Sequence, residues 1–332
     1  MAFKDIIGQE GAVRILKSAI SNGKVASAYL FSGPSGVGKF LAARNFVKAL
    51  NCKQEQAGPA GEKNAEACDA CPSCARINEG IHPDVFVLRP EKGVIKIEEI
   101  RKLEEALSLC SYEGGYKAAI VDDAHLMKNE AANAFLKCLE EPPAGSVIVL
   151  VSASPERLPE TIRSRCLQLK FKPLSDEEME SFLKTRIKIK DPEKRRALIG
   201  LSMGRPGLAT GKDDVLKKRQ EFMKSLQEML AGSRNPSWSD REDIEEFVEG
   251  LGLLLRDLLV LRATANEELL MNQALPEKIK SLGKAAKEEV IIDCYHDVAG
   301  IRDSLVYNPN KSILWNYTAG MLRKLAVPGG SN

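Results

Sequence analysis

A glycine-rich segment near the start of this 332-residue chain constrains its fold more than any other feature. Residues 33–40 read Gly-Pro-Ser-Gly-Val-Gly-Lys-Phe and match the phosphate-loop pattern G-x-x-x-x-G-K-[ST] at every position except the last. Residues 28–31 before them are apolar, as in a buried strand, and residues 41–50 after them have helical periodicity. The glycines therefore lie where a strand passes into a helix, which is the setting in which this pattern binds phosphate.

The residues of this loop have separate expected roles. Backbone N–H groups would surround phosphate oxygens, and Lys39 would reach the outer phosphates of ATP or ADP. Phe40 stands where a hydroxyl normally binds Mg²⁺, so the sequence argues against metal-assisted hydrolysis. A glycine-rich turn without a ligand is the alternative. The candidate nucleotide-binding residues here are Gly33, Pro34, Ser35, Gly36, Val37, Gly38, Lys39 and Phe40.

Four cysteines form a second informative pattern. Cys68, Cys71 and Cys74 have the spacing C-x2-C-x2-C, and Cys52 precedes them across residues 53–67. Four thiolates can complete the tetrahedral coordination of a structural Zn²⁺, and a redox pair or a disulfide is the alternative. The Gly-, Glu- and Ala-rich residues 54–67 are expected to form a flexible excursion. The other cysteines are expected in the core: Cys110, Cys138, Cys166 and Cys294.

Composition limits the remaining choices. The 48 basic and 46 acidic residues give a net charge of +2, which argues against a chain that grips nucleic acid alone through a broad basic surface. No apolar run approaches the roughly 20 residues that span a bilayer, and the N-terminus lacks a signal-peptide core. We therefore expect a cytoplasmic protein with reduced thiols and two or three domains.

Polar residues follow two further predicted strands. Asp122 and Asp123 come directly after the apolar residues 118–121. In phosphate-loop ATPases the first acid holds Mg²⁺ and the second polarises the attacking water, a position where Asp123 is one methylene shorter than Glu. The predicted strand 147–151 leads to Ser152-Ala153-Ser154, and a hydroxyl of either serine could sense a γ-phosphate. Exposed acids and an ordinary polar turn are the alternatives.

The remaining periodicity divides the chain into a mixed part and a helical part. Strands are predicted over 85–88 and 167–171, and helices over 96–109 and 129–139. Beyond residue 173 all apolar patterns are helical, beginning with a capping signature at residues 175–178. Residues 251–261 are apolar nearly all round and should be buried on several sides. The further predicted helices cover 215–230, 240–265, 287–307 and 312–325.

Together these pieces resemble the clamp-loader branch of the AAA+ ATPases. The resemblance is strong over residues 1–172 and weaker beyond them. Its two most specific parts are residues 136–143, Leu-Lys-Cys-Leu-Glu-Glu-Pro-Pro, and Ser164-Arg165-Cys166. The second of these follows the predicted strand 147–151 and its serines. The entry Phe-Lys-Asp-Ile-Ile-Gly-Gln at residues 3–9, the phosphate loop, the four cysteines and the paired acids also match. Residues 204–207 and 308–314 are similar to the family's second sensor and to its collar domain.

The resemblance implies roles that the residues alone do not give. Arg165 would act as a trans arginine finger on ATP held by a neighbouring subunit, with a local salt bridge to an acid such as Glu160 as the alternative. Asp123 would be a degenerate form of the acid that polarises water, and Ser152 would be the first sensor. Arg205 would contribute to nucleotide binding, as would Asp122.

The resemblance also implies an architecture and a function. We expect an α/β AAA+ P-loop domain with a parallel sheet over 1–172, a zinc module at about 52–80, a helical lid over 173–212 and an all-helical collar over 213–332. The implied function is to help open the sliding clamp and load it onto primed DNA as a stator-like subunit of bacterial DNA polymerase III, with weak or absent ATPase activity of its own. The implied partners in this hetero-oligomer are the gamma/tau motor subunits, the delta subunit, the sliding clamp and, through the assembled complex, primed DNA.

Three other functions are compatible with parts of the sequence. An active motor subunit of the gamma/tau type also carries the cysteine insert and the arginine motif. Phe40, Asp123 and a length of 332 residues without a long tail argue against it. A self-sufficient ATPase would turn over ATP alone, and a scaffold of zinc and helices would bind no nucleotide.

Overall fold

A computed structural model of the chain shows two compact units. The first comprises Met1–Phe182 with Gly204–Gly207, and the second comprises Leu183–Met203 with Leu208–Asn332. The three-part division expected from the sequence stays a prediction. The structure describes residues 2–54, 65–91, 93–210, 212–233, 236, 238, 241–270, 277–305 and 309–326. Most of the expected excursion over 54–67 lies outside these ranges.

A five-stranded parallel sheet forms the centre of the first unit. Its strands are β1 (Ala28–Ser32), β2 (Val85–Leu88), β3 (Lys117–Val121), β4 (Ser146–Ser152) and β5 (Leu167–Lys170). They lie side by side in the order β2-β3-β4-β1-β5, and every pair is parallel. Every residue of β1, β3 and β4 is buried, which explains why these strands appear in the sequence as continuous apolar runs.

Helices cover both faces of this sheet. Side chains alternate along β1, so that Tyr29 packs in one apolar cluster with Phe46 while Leu30 packs in another with Phe135. The result is a three-layer arrangement, which confirms the expected α/β domain with a parallel sheet. The helices are α1 (Glu10–Ser21), α2 (Lys39–Leu50), α3 (Pro72–Glu79), α4 (Ile97–Ser108), α5 (Asn129–Glu140), α6 (Glu160–Arg163) and α7 (Asp176–Thr185).

Two local networks fix the ends of the first unit. The buried Gln9 side chain donates from Nε2 to the Lys172 carbonyl at 2.6 Å and accepts from the Lys172 N–H at 3.0 Å. These bonds connect the entry segment to the chain just after β5. At the start of α7, the Ser175 N–H donates to Glu178 Oε2 at 2.7 Å, and the Glu178 N–H donates to Ser175 Oγ at 3.3 Å. The predicted capping signature is therefore a capping box.

The second unit is helical. The apolar run of its longest described helix packs against the two helices that follow, which confirms the expected burial of 251–261 on several sides. Trp238 and Trp315 meet in the same core with ring centroids 4.9 Å apart. Among the helices in the described ranges, none has the length and hydropathy needed to cross a lipid bilayer. The remaining helices are α8 (Pro192–Ser202), α9 (Pro206–Thr210), α10 (Lys212–Leu230), α11 (Arg241–Thr264), α12 (Glu277–Ala285), α13 (Glu288–Ser304) and α14 (Lys311–Ala326).

Candidate functional site

The glycine-rich loop joins β1 to α2 and has the backbone geometry of a phosphate loop. Gly33, Gly36 and Gly38 have φ values of 144°, 82° and 97°, in the region that favours glycine. A Cβ atom on Gly33 would lie 2.2 Å from the carbonyl oxygen of Phe171, so no larger residue fits there. The Gly33 N–H donates to the Ser152 carbonyl at 3.3 Å, which ties the loop to the end of β4.

Lys39 is the first residue of α2, and its side chain reaches back to this loop. Its side chain is buried, and Nζ donates to the carbonyls of Gly33 and Pro34 at 2.6 and 2.7 Å. Burial lowers the pKa of Lys39 to about 8, although the charges of Asp123 and Asp122 act in the opposite direction. The ammonium therefore stays cationic at neutral pH and is electrostatically coupled to both acids.

The segment Gly204–Gly207 packs against the same loop. The Gly207 N–H donates to the Gly36 carbonyl at 2.8 Å, and a Cβ atom on Gly207 would lie 2.8 Å from Gly36 Cα. Arg205 belongs to this segment and is only 9% exposed. Of the other loop residues, Pro34 and Ser35 are exposed at the tip, and Val37 is anchored in the core. The structure thus places the predicted second-sensor segment beside the predicted nucleotide site.

The two acids follow β3 at the same edge of the sheet. Burial and the neighbouring Asp123 raise the pKa of Asp122, while Arg89 and Lys39 oppose this rise. Asp123 has φ 46° and ψ 46°, a left-handed conformation that non-glycine residues adopt mainly at functional sites and tight turns. Its N–H donates to Asp122 Oδ1 at 3.2 Å.

The expected first sensor lies at the end of β4, which is the neighbour of both β3 and β1. Ser152 is fully buried and pairs in register with Ser32 at the end of β1. The Ser154 N–H donates to Ser152 Oγ at 3.1 Å, so both candidate serines belong to one turn. Since the carboxyl ends of adjacent parallel strands meet at one edge, the loop, the acids and Ser152 converge there.

Two further residues lie at this edge: Arg89, which the sequence reasoning missed, and His125, which it assigned to a structural role. The guanidinium carbon of Arg89 lies 4.7 Å from the centroid of the Phe40 ring, and Arg89 Nε lies 3.7 Å from Asp122 Oδ2. Burial lowers the pKa of His125, against the effect of the Asp123 charge, and His125 Nδ1 is buried without a hydrogen-bond partner in the described part of the chain. Arg89 was detectable in principle, because it directly follows a strand of the same sheet.

Arg165 lies elsewhere in the first unit, in the turn after α6. It donates from Nη1 to the Thr161 carbonyl at 2.9 Å and from Nη2 to Glu140 Oε1 at 2.6 Å. Its side chain is 36% exposed and that of Glu140 is 51% exposed. The sequence reasoning named Glu160 as a possible partner, whereas the carboxylate that pairs with Arg165 is that of Glu140, at the end of α5.

The four cysteines predicted to bind metal come together. The Sγ atoms of Cys52, Cys68, Cys71 and Cys74 all lie within 4.8 Å of one another, and those of Cys68 and Cys74 are 3.9 Å apart. Tetrahedral coordination at the usual Zn–S bond length separates sulfurs by about 3.8 Å. Backbone N–H groups of Cys71 and Ala70 donate to Cys68 Sγ at 3.3 and 3.4 Å. The donor set and its spacing fit Zn²⁺.

Electrostatics at this cluster favours the thiolate form of one ligand. Burial raises the pKa of the Cys71 thiol, but N–H bonds from Cys74 and Lys53, with the neighbouring thiols, lower it to about 6. Cys71 also caps α3, since its Sγ accepts from the Cys74 N–H at 3.5 Å. The buried Lys48 of α2 pairs with Asp69 and attaches the module to the sheet domain.

The other cysteines and the histidines lie outside this cluster. Cys138, Cys166 and Cys294 are buried as expected, but Cys110 is exposed, so its predicted core position is wrong. It follows the end of α4, in a connection to β3 where Ser108 and Leu109 are also exposed. His82 is buried, and its Nε2 lies 3.0 Å from Oγ of Ser73 in α3.

This parallel sheet, with its phosphate loop, paired acids and serine at one edge, defines a P-loop domain with the AAA+ fold. The family model described as DNA polymerase III, delta subunit matches residues 8–175. The chain belongs to that family, which confirms the resemblance to clamp-loader subunits.

Individual relatives of this chain are also subunits of DNA polymerase III, and they match it over different shares of its length. The delta' subunit of DNA polymerase III from Bacillus subtilis is 29% identical, over 95% of this chain and 96% of its own. The delta' subunit from Pseudomonas aeruginosa is 39% identical over 43% of this chain and 42% of its own. The gamma subunit from Buchnera aphidicola of Schizaphis graminum is 36% identical over 56% of this chain. The chain spans about half the length of that gamma subunit, 49%.

Proposed function

We propose that this chain is the delta'-type subunit of a clamp loader, with an ATP site that binds but does not hydrolyse nucleotide and an arginine that acts on a neighbour's ATP. The observation that carries the proposal is a phosphate loop that matches its pattern as far as Lys39, with Phe40 and Arg89 at the positions where Mg²⁺ would be bound. The alignment with a delta' subunit along nearly the whole of both chains supports it.

Arg165 is the residue through which this chain would contribute to catalysis. Its side chain is partly exposed and is held by two contacts that fix the guanidinium at the end of α6. A guanidinium makes bidentate contacts with phosphate oxygens, and an arginine supplied in trans accelerates phosphoryl transfer by roughly 10³–10⁵. We infer that Arg165 leaves Glu140 for the γ-phosphate of ATP bound to an adjacent subunit.

The test uses the complex assembled with motor subunits, the delta subunit and the sliding clamp. Arg165→Ala should slow the site that it serves by roughly 10³-fold, so that ATP turnover of the complex falls by that site's share and clamp loading onto primed DNA slows. Steady-state phosphate release and a clamp-loading assay measure both effects. Loading at the unmodified rate would remove the role in trans.

Glu140→Gln is the matched control, because it breaks the same ion pair and leaves the guanidinium in place. If Arg165 acts in trans, this variant keeps turnover and clamp loading. If the residue serves only a local salt bridge, both variants behave alike. Each would then lose roughly 0–1 kcal/mol of stability, as is usual for partly exposed pairs, with turnover unchanged.

A second candidate function is that of an active gamma/tau-type motor subunit. The 36% identity to a gamma subunit over 187 residues favours it. The two functions differ in the ATP turnover of the isolated chain, which is negligible for the first and substantial for the second.

We also propose that Cys52, Cys68, Cys71 and Cys74 hold a structural Zn²⁺. The closed set of four thiol ligands leaves no open position for a substrate, so the metal would crosslink the module and take no part in catalysis. In the proposed hetero-oligomer the all-helical C-terminal region mediates assembly, and primed DNA is reached through the complex. These partners and the cytoplasmic location are expectations from the family.

A further inference from the structure

One arginine joins two positions that hold Mg²⁺ in phosphate-loop ATPases. These positions are the residue after the loop lysine, here Phe40, and the first acid after the neighbouring strand, here Asp122. The guanidinium carbon of Arg89 lies 4.7 Å from the Phe40 ring centroid, and Arg89 Nε lies 3.7 Å from Asp122 Oδ2. A single organic cation thus contacts both places.

The fold positions this cation. Arg89 directly follows β2, whose partner β3 leads into Asp122, and the Asp122 N–H donates to the Leu88 carbonyl at 2.9 Å. This hydrogen bond joins the carboxyl ends of β2 and β3 immediately before Arg89 and Asp122. An aromatic ring attracts a guanidinium to its face and offers a metal ion no ligand. Phe40 consequently forms one half of a cation-holding pair.

The charges around Arg89 suit a phosphate ligand. Asp122 is a partly buried acid next to another acid, and Arg89 opposes the resulting rise in its pKa. Arginine stays protonated at any pH that the protein tolerates. The Arg89 side chain is 63% exposed, which leaves N–H donors facing solvent, and their planar arrangement matches phosphate oxygens.

We propose that Arg89 replaces Mg²⁺ as the counter-charge of this site, so that the phosphate loop binds a nucleoside di- or triphosphate without a divalent cation. The proposal rests on the proposed function in one respect, namely that the loop holds nucleotide. The proposed role of Arg165 in trans does not depend on nucleotide binding by this loop. Arg165 could act on ATP in an adjacent subunit whether or not the phosphate loop of its own chain is occupied.

The experiment measures binding of a fluorescent ADP analogue to the full chain, in EDTA and in millimolar Mg²⁺. The two dissociation constants should agree within about threefold. Arg89→Ala should weaken binding in EDTA by about tenfold or more, with part of the loss restored by Mg²⁺ at the freed Asp122. Arg101→Ala, which removes an exposed arginine on α4, should leave both constants unchanged.

A second variant tests the same proposal by changing Phe40, the residue whose ring contacts Arg89. Phe40→Thr removes the ring and adds a hydroxyl ligand, so its binding should become tighter in Mg²⁺ than in EDTA. The proposal is overturned if Mg²⁺ tightens binding to the unmodified chain by about tenfold, if Arg89→Ala binds as the unmodified chain does in EDTA, or if no nucleotide binds in either condition. The Arg165 experiment gives its own answer in each of these cases.

Discussion

Burial at the phosphate loop lowers the pKa of Lys39 far below its ordinary value. A single group with a pKa of about 8 is nine-tenths protonated at pH 7 and one-tenth protonated at pH 9. Nucleotide affinity should therefore fall by about tenfold over this range in a fluorescent ADP titration, because the ammonium that is expected to contact the phosphates loses its charge. Lys39→Arg, which stays charged, should show almost no pH dependence.

An equal decline of affinity in Lys39→Arg would show that another group titrates.

The lowered pKa of Lys39 also makes the stability of the folded chain depend on pH. Since the pKa of Lys39 in the folded chain, about 8, lies below its ordinary value of 10.5, the unfolded chain binds the proton more strongly between these values. The contribution of Lys39 to stability therefore improves as pH rises from about 8 to 10.5.

Sequence reasoning identified single residues well where a backbone pattern constrains them. The loop glycines, Lys39 and the paired acids follow from the order of strand, turn and helix, and the structure places them at one edge of the sheet. Pairings such as Arg165 with Glu140 or Arg89 with Phe40 join residues 25 and 49 positions apart. Nothing local determines them, since exposed charges have many possible partners until the elements pack.

At the scale of elements, the strands were predictable and several short helices were not. Strands buried on both faces give continuous apolar runs, so β3 was found to within one residue of its observed bounds, Lys117–Val121. The helix α3 begins within the cysteine motif, where Cys71 serves as both expected ligand and cap. The helix α12 (Glu277–Ala285) is short and rich in charge, and its burial depends on packing against α11.

The cysteine module is one element with a clear test. We expect one zinc per chain, and Cys71→Ser should lose it at a far lower chelator concentration, because serine is a poor zinc ligand but still caps α3. Elemental analysis after graded chelation gives the metal content. Cys110→Ser, at an exposed thiol outside the cluster, should keep its zinc, and the far-UV circular dichroism of both variants should stay close to that of the unmodified chain. Absence of zinc from metal-replete protein would contradict the assignment.

The close approach between the phosphate loop and the end of β5 gives a second prediction at this scale. Gly33→Ala places a methyl group 2.2 Å from the Phe171 carbonyl oxygen at a φ of 144°, so the free energy of unfolding should fall by more than about 1 kcal/mol. Urea unfolding followed by circular dichroism measures this loss. Gly11→Ala is the matched substitution in α1, where no neighbouring atom lies within 4 Å, and it should stabilise the chain by up to about 1 kcal/mol. Equal effects of the two changes would rule out the steric account.

At the scale of the whole molecule, the chain passes between its two units more than once. Leu183–Met203 groups with the second unit, and Gly204–Gly207 then returns to the phosphate loop of the first. The helical sequence after residue 173 gave no sign of this return apart from the motif Gly-Arg-Pro-Gly. The need for glycine at residue 207 comes from a long-range contact with Gly36, which a local pattern does not reveal.

The last prediction concerns what the whole chain does alone. The isolated protein should release phosphate from ATP at a negligible rate in saturating ATP and Mg²⁺, because Phe40 offers Mg²⁺ no ligand and Asp123 is one methylene shorter than the usual Glu. Combining Phe40→Thr with Asp123→Glu restores a hydroxyl ligand and a longer carboxylate. That double variant should hydrolyse ATP measurably only in a complex whose neighbouring subunit supplies an arginine. The matched control, Phe40→Leu with Asp123→Glu, lacks the hydroxyl and should stay inactive in the same complex. Turnover by the isolated, unmodified chain at the rate of a motor subunit would instead establish the gamma/tau-type function.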